Sequence, residues 1–141
     1  MLLPQTAEYA LRAMAQLATL PEGEPVRTAD LARLAAIPES YLSKIMRRLV
    51  SEGLLTSEKG HGGGFKLRHP PEKVRFIDIL RALDVDLEEN RCAFGWDKCS
   101  DGNPCVLHPA FVQLKASHLE WATRTTLASL AAKRKVEKKR G

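Results

Sequence analysis

The chain has 141 residues, 44% hydrophobic and 28% charged, which suits one domain with a packed core and excludes a disordered polymer. Its formal net charge of +5 favours a polyanionic partner, nucleic acid first. No run approaches the roughly 20 apolar residues that span a bilayer, and residues 1–6 lack the basic and apolar regions of a secretory signal. A cytoplasmic location without a membrane partner is expected.

Residues 4–20 read as an amphipathic helix. Ala7, Ala10, Leu11, Met14, Ala15 and Ala18 recur at helical spacing, with Thr6 as the expected N-cap. Pro21 to Pro25 breaks it. Thr28 is then expected to cap a short helix over 29–36, with Leu31, Leu34 and Ala35 inward. Ile37-Pro38 makes the turn, because a residue before proline avoids the helical region. A third helix follows over 39–52. Leu42, Ile45, Met46 and Leu49 form its inner face, and Gly53 ends it. Two short extended runs, 54–59 and 65–68, flank the glycine-rich residues 60–64 and predict a β-hairpin. Val74 and Phe76 are expected to add a strand edge before a short helix over 77–83. Beyond an acidic stretch and a cysteine-bearing loop, residues 109–123 read as a helix with Phe111, Leu114, Leu119 and Ala122 on its apolar stripe. His118 beside that stripe reads as a packing residue. A short helix around 125–130 and a basic tail over 133–140 complete the chain.

Two helices at a tight turn followed by a hairpin is the order of a winged helix-turn-helix, a mainly α (α+β) fold. The second of the two helices has the polar, basic outer face that a major groove requires. Ser40, Tyr41, Ser43, Lys44, Arg47 and Arg48 are the outward residues. Lys59, His61 and Gly62 lie at the hairpin tip, where glycine lets backbone approach a phosphate. Thr28, opening the first of the two helices, completes the candidate DNA-contacting set. The glycine run is not a P-loop, since no Gly-Lys-Ser/Thr follows, and no Gly-x-Ser-x-Gly supports a lipase reading. No nucleophile–base pair stands out, so neither an enzyme nor a small-molecule substrate is expected.

All three cysteines fall in one 14-residue window, with the spacing Cys92-x6-Cys99-x5-Cys105-x2-His108. An odd count argues against a disulfide framework. Three thiolates and one imidazole supply four ligands for a [2Fe–2S] cluster or a Cys3His zinc site. The absence of Cys-x2-Cys knuckles favours iron–sulfur over zinc. Unligated thiols used in redox chemistry are the third reading. Phe94 and Trp96 are placed to shield a cofactor. His61 and His69 lie beside the hairpin and are not favoured as ligands.

The sequence resembles the IscR/NsrR-type family of bacterial winged-helix regulators over about residues 1–132. The carriers are Glu8-Tyr9-Ala10-Leu11-Arg12-Ala13-Met14, Ser40-Tyr41-Leu42, Leu49 with Gly53-Leu54-Leu55, and Gly60-His61-Gly62-Gly63-Gly64-Phe65. The cysteine loop ending Cys105-Val106-Leu107-His108 and the run Thr125-Thr126-Leu127-Ala128-Ser129-Leu130 add to them. The resemblance implies a homodimeric transcription regulator. Its long C-terminal helix would cross its partner's and set two recognition helices over a palindromic operator in double-stranded DNA. It also implies an iron–sulfur cluster that senses redox state, nitric oxide or iron–sulfur status. Cys92, Cys99 and Cys105 would be ligands, with His108 as the fourth or, as in the nitric oxide sensors, Glu8 from the partner chain.

The expected organisation is a DNA-binding domain over 1–83, a cluster-binding loop over 84–107, a dimerisation helix and short terminal helix over 108–132, and a disordered tail over 133–141. The charge follows this division. Six basic residues and one acid in 133–140 account for the whole net charge. Within the balanced remainder, 39–75 carries an excess of four positive charges and 84–101 an excess of four negative ones. That polarity would hold DNA on the helix-and-hairpin face.

Overall fold

Alanine decides how the first helix packs. In a computed structural model, which describes residues 3–86, 92–97 and 99–130, α1 (Gln5–Ala18) buries Ala7, Ala10, Ala13, Met14 and Leu17. Small side chains at these positions let α1 lie close to α2 (Thr28–Ala35) and α3 (Glu39–Ser51). The buried stripe is rotated from the expected one, leaving Leu11, Ala15 and Ala18 half-buried. Pro4, not Thr6, is the N-cap. The Thr6 hydroxyl instead lies 2.9 Å from the Tyr41 hydroxyl of α3, and Tyr41 packs edge-on against Tyr9.

Thr28 is likewise the first residue of α2 rather than its cap. Arg27 holds the cap position, with no side-chain capping bond. Leu34, expected inside, is 46% exposed, and Ala32 takes its place in the core. Ala36 closes α2 in the left-handed region at φ 55°. Arg12 of α1 donates to the carbonyls of Ala35 and Ala36 (3.3 and 3.2 Å), so the turn between α2 and α3 is held from outside.

α3 buries Leu42, Ile45, Met46 and Leu49, as its periodicity predicts. It ends in a Schellman motif. Gly53 at φ 81° donates to Val50, and Leu54 donates to Leu49, each at 3.0 Å. The chain turns directly into the antiparallel hairpin of β1 (Leu55–Glu58) and β2 (Gly64–Leu67), with Leu55 opposite Leu67 and Glu58 opposite Gly64. Val26, ahead of α2, exchanges two 2.8 Å backbone bonds with Phe65. The hairpin is thereby fastened to the segment entering α2.

No strand forms at Val74 and Phe76. A single 3-10 turn, Pro71–Lys73, precedes α4 (Phe76–Ala82). Val74 is buried and its carbonyl accepts from Leu127, while Phe76 opens α4 and donates to Thr125. Asp78 accepts the Arg75 backbone N–H at 2.9 Å and pairs with the Arg75 guanidinium, fixing the helix start.

α5 (His108–Arg124) is held at its C-terminal end. Ala122 is its only buried residue among the described ones, and Trp121 meets Phe76 edge-on at 5.1 Å. Of the other expected inward residues, Phe111 and Leu119 are half-buried and Leu114 is 50% exposed. His118 stacks on Trp121. Residues 127–130 are helical again, and Leu127 enters the core formed by Met14, Leu31, Leu42, Met46, Leu49, Ile77, Ile79 and Leu80. The architecture is a winged helix-turn-helix, mainly helical, with the β1–β2 hairpin as the wing. The predicted basic tail, together with Glu88, Glu89, Arg91 and Lys98, lies outside the described residues.

Candidate functional site

The outer face of α3 presents Ser40, Tyr41, Lys44, Arg47 and Arg48 to solvent, with Ser43 half-buried. Thr28 is half-buried at the start of α2. Lys59, His61 and Gly62 are exposed at the wing tip. Gly64 has a role that its sequence context did not reveal. At φ 143° it sits so close to Val26 that an added Cβ would strike the Val26 carbonyl oxygen. That glycine therefore serves the joint between wing and α2. Across the wing, Lys66 pairs with Glu58 at 2.6 Å.

Arg48 differs from its neighbours on α3. Its Nε donates to the Ala82 carbonyl at 3.0 Å, one amino group reaches Asp84 at 2.6 Å, and Glu52 lies 3.6 Å away. Asp84 stands in the left-handed region at φ 58°, a conformation that asparagine and aspartate tolerate better than most residues. The guanidinium thus links α3 to the end of α4, where the chain turns toward the cysteines. Neither Asp84 nor the Ala82 carbonyl was foreseen as its partner.

The three cysteines, dispersed in sequence, meet in space. Their sulfurs all lie within 4.8 Å of one another, and all three thiols are free. Cys92 and Cys105 are 3.7 Å apart. Cys99 Sγ lies 3.3 Å from His108 Nδ1, and His108 Nε2 lies 2.8 Å from Asp101 Oδ1. Local backbone holds the sulfurs: the Phe94 N–H donates to Cys92 and the Cys105 N–H to Cys99, each at 3.4 Å. Ser100 and Asn103 exchange backbone bonds around a tight turn. Pro109 in the first turn of α5 and the Cys105–His108 backbone bond of 3.1 Å place the imidazole.

Burial raises the Cys92 thiol. Backbone N–H groups of Trp96 and Phe94, with the neighbouring thiols, outweigh it and bring Cys92 down from 9.0 to about 7. Cys99 moves the other way. The Cys105 backbone N–H lowers it, but burial and the thiols of Cys105 and Cys92 outweigh that bond and the net shift is upward. One sulfur is therefore readied for deprotonation, the state in which thiols bind metals.

The donor set fits a soft metal centre. Two thiolates about 2.3 Å from one tetrahedral ion stand about 3.8 Å apart, close to the Cys92–Cys105 separation. Phe94 and Trp96 stack beside the centre at 4.5 Å between ring centroids, and both are exposed. Glu8 is half-buried in the first turn of α1. Among the described residues no helix is long and apolar enough to cross a membrane.

The sequence pattern of the Rrf2 family, described as an iron-dependent transcriptional regulator, matches residues 3–133. Over 125 residues the chain is 37% identical to a Mycobacterium tuberculosis protein that carries the provisional name of an HTH-type transcriptional regulator, covering 89% of this chain and 78% of that one. It is 31% identical over 130 residues to the HTH-type transcriptional regulator IscR of Yersinia pestis, covering 92% and 79%. The solved structure of T. potens IscR matches with a TM-score of 0.74 at 25% identity, over 94% of this chain and 87% of that chain.

Proposed function

Because this chain belongs to the Rrf2 family of transcriptional regulators, and so is not an enzyme, we propose that it is a cytoplasmic homodimer that binds a palindromic operator under the control of an iron–sulfur cluster. The gathering of three sulfurs within 4.8 Å beside an imidazole nitrogen, in a chain with a winged helix, carries this reading.

Cys92, Cys99, Cys105 and His108 would hold the cluster. Their donors stand as two close pairs, Cys92 with Cys105 and Cys99 with His108. Three sulfurs within 4.8 Å of one another suit a single ion as well, so the lack of Cys-x2-Cys knuckles and the family's iron-dependent description are what favour a [2Fe–2S] centre over zinc. When bound, such a cluster supplies iron that changes oxidation state and reacts with nitric oxide. Glu8 of a partner chain is the rival to His108.

Lys44 and Arg47 on α3 and Lys59 at the wing would meet phosphates, with Ser40, Ser43 and Tyr41 near base edges and His61 and Gly62 following the backbone. Val106, Leu107, Val112 and Leu114 leave an apolar surface before and along α5, which supports its use in dimerisation. Through its bonds to Ala82 and Asp84, Arg48 joins the recognition helix to the chain entering the cysteine segment. A rearrangement over 84–107 would therefore reach α3. A bias between two dimer arrangements needs only a few kcal/mol of differential stability.

The test is iron, sulfide and zinc content of anaerobically purified protein, with its visible absorption. Wild type should carry iron and acid-labile sulfide, and Cys99→Ala should lose both. His108→Ala should change the spectrum while Glu8→Ala leaves it. Zinc at one per chain without sulfide would replace the cluster reading by a zinc-stabilised regulator, and absence of any metal would leave a thiol switch.

A further inference from the structure

We propose that Asp101 is a positioning residue for the cysteine centre: its carboxylate fixes the His108 imidazole so that Nδ1 is the ligand atom. The inference deepens the cluster reading and rests on it for its functional meaning, but its geometry stands without a bound group.

Neutral imidazole carries one proton, on either nitrogen, and the atom left bare is the one that can bind a metal. His108 has a different partner on each side. Nε2 lies 2.8 Å from Asp101 Oδ1, and Nδ1 lies 3.3 Å from Cys99 Sγ. An ionised carboxylate only accepts hydrogen bonds. Nε2 must therefore donate, which leaves the Nδ1 lone pair on the side of the Cys99 sulfur. A histidine that ligates through one nitrogen commonly gives the other N–H to a carboxylate, which fixes the ring and raises its basicity.

The loop holds Asp101 for this contact. Asp101 and Gly102 form the corner of the turn closed by Ser100 and Asn103, whose backbones exchange bonds of 3.2 and 3.1 Å. The His108 side chain is only 14% exposed, whereas that of Asp101 is 93% exposed. An exposed carboxylate keeps its hydration, so its single bond to a sheltered ring serves the ring's orientation rather than core stability.

The experiment has two parts, both on the full chain. First, nitrogen NMR of the metal-free protein at a pH where His108 is neutral reads the tautomer directly. Wild type should hold the proton on Nε2. Asp101→Ala should give a mixture, and Asp101→Asn, whose side-chain oxygen still accepts, should restore the wild-type form. Second, Co2+ titration reads affinity. Asp101→Ala should weaken binding roughly 10- to 100-fold, the usual cost of losing such a partner, and should cost nothing further in a His108→Ala background. A tautomer indifferent to Asp101→Ala, or an equal loss in the His108→Ala background, would overturn the proposal. The two readings fail separately. A chain that never accumulates iron and sulfide but shows the tautomer response keeps Asp101 and loses the cluster. A chain that loads its cluster without that response does the reverse.

Discussion

At the scale of single residues, glycine at position 64 is required by contact as well as by conformation. A Cβ there would collide with backbone, which cannot swing aside as a side chain can. Gly64→Ala should therefore cost about 1–3 kcal/mol and lower the thermal midpoint, with DNA affinity falling as the wing loosens. An unchanged midpoint in a thermal melt would show that the joint with Val26 yields easily. The sequence pointed to glycine in this run because turns and DNA contacts use it, but it could not show that Val26, far away along the chain, sets the need. Asp101 was equally hidden. It lies seven residues before His108 in a loop without periodicity, and read only as one of several acids. Cys92, Cys99, Cys105 and His108 were legible because a cluster of soft donors is rare in any sequence.

The helices show where pattern is a good guide and where it misleads. α3 kept its predicted face because four large apolar residues define one stripe, set apart from a polar outer face. α1 turned because alanines carry little hydrophobic contrast, so close packing on α2 and α3 chose the face. α5 has an apolar stripe that is not buried among the described residues, where its C-terminal end docks on α4. Arg48 is the residue whose role changes most once its neighbours are seen. As a DNA contact alone, its loss would weaken binding, while loss of the acidic Asp84 would leave binding unchanged or strengthen it. As the link between α3 and the end of α4, both Arg48→Ala and Asp84→Ala should weaken operator binding. The exposed ion pair itself should contribute only about 0.2–1 kcal/mol to stability. Binding isotherms with denaturation curves for the two single variants and the double variant measure this; operator affinity unaffected by Asp84→Ala would leave Arg48 as a plain DNA contact.

For the whole molecule, net charge is a misleading summary. The excess sits in residues 133–140, while the rest of the sequence holds a basic stretch over 39–75 and an acidic one over 84–101. Removing residues 133–141 should lower affinity for all DNA alike and flatten its salt dependence, with operator preference kept. Titrations of operator and unrelated DNA at several salt concentrations test this; a lost preference would give the tail a reading role. The winged-helix order was legible as a succession of elements, because each turn is written in proline or glycine. The contacts that make those elements one body were not, since they depend on side chains and backbone far apart in the chain.

The paired backbone bonds between Val26 and Phe65 bear on what any signal can change. They make the hairpin continuous with the lead-in to α2, while the Schellman turn at Gly53 couples its other end to α3. Helix and wing are therefore braced at both ends, like the jaws of a fixed gauge. Within one chain the span between α3 and the wing tip is set at folding. A regulatory event that spares those braces can tilt or displace the gauge as a unit, but cannot reset its opening.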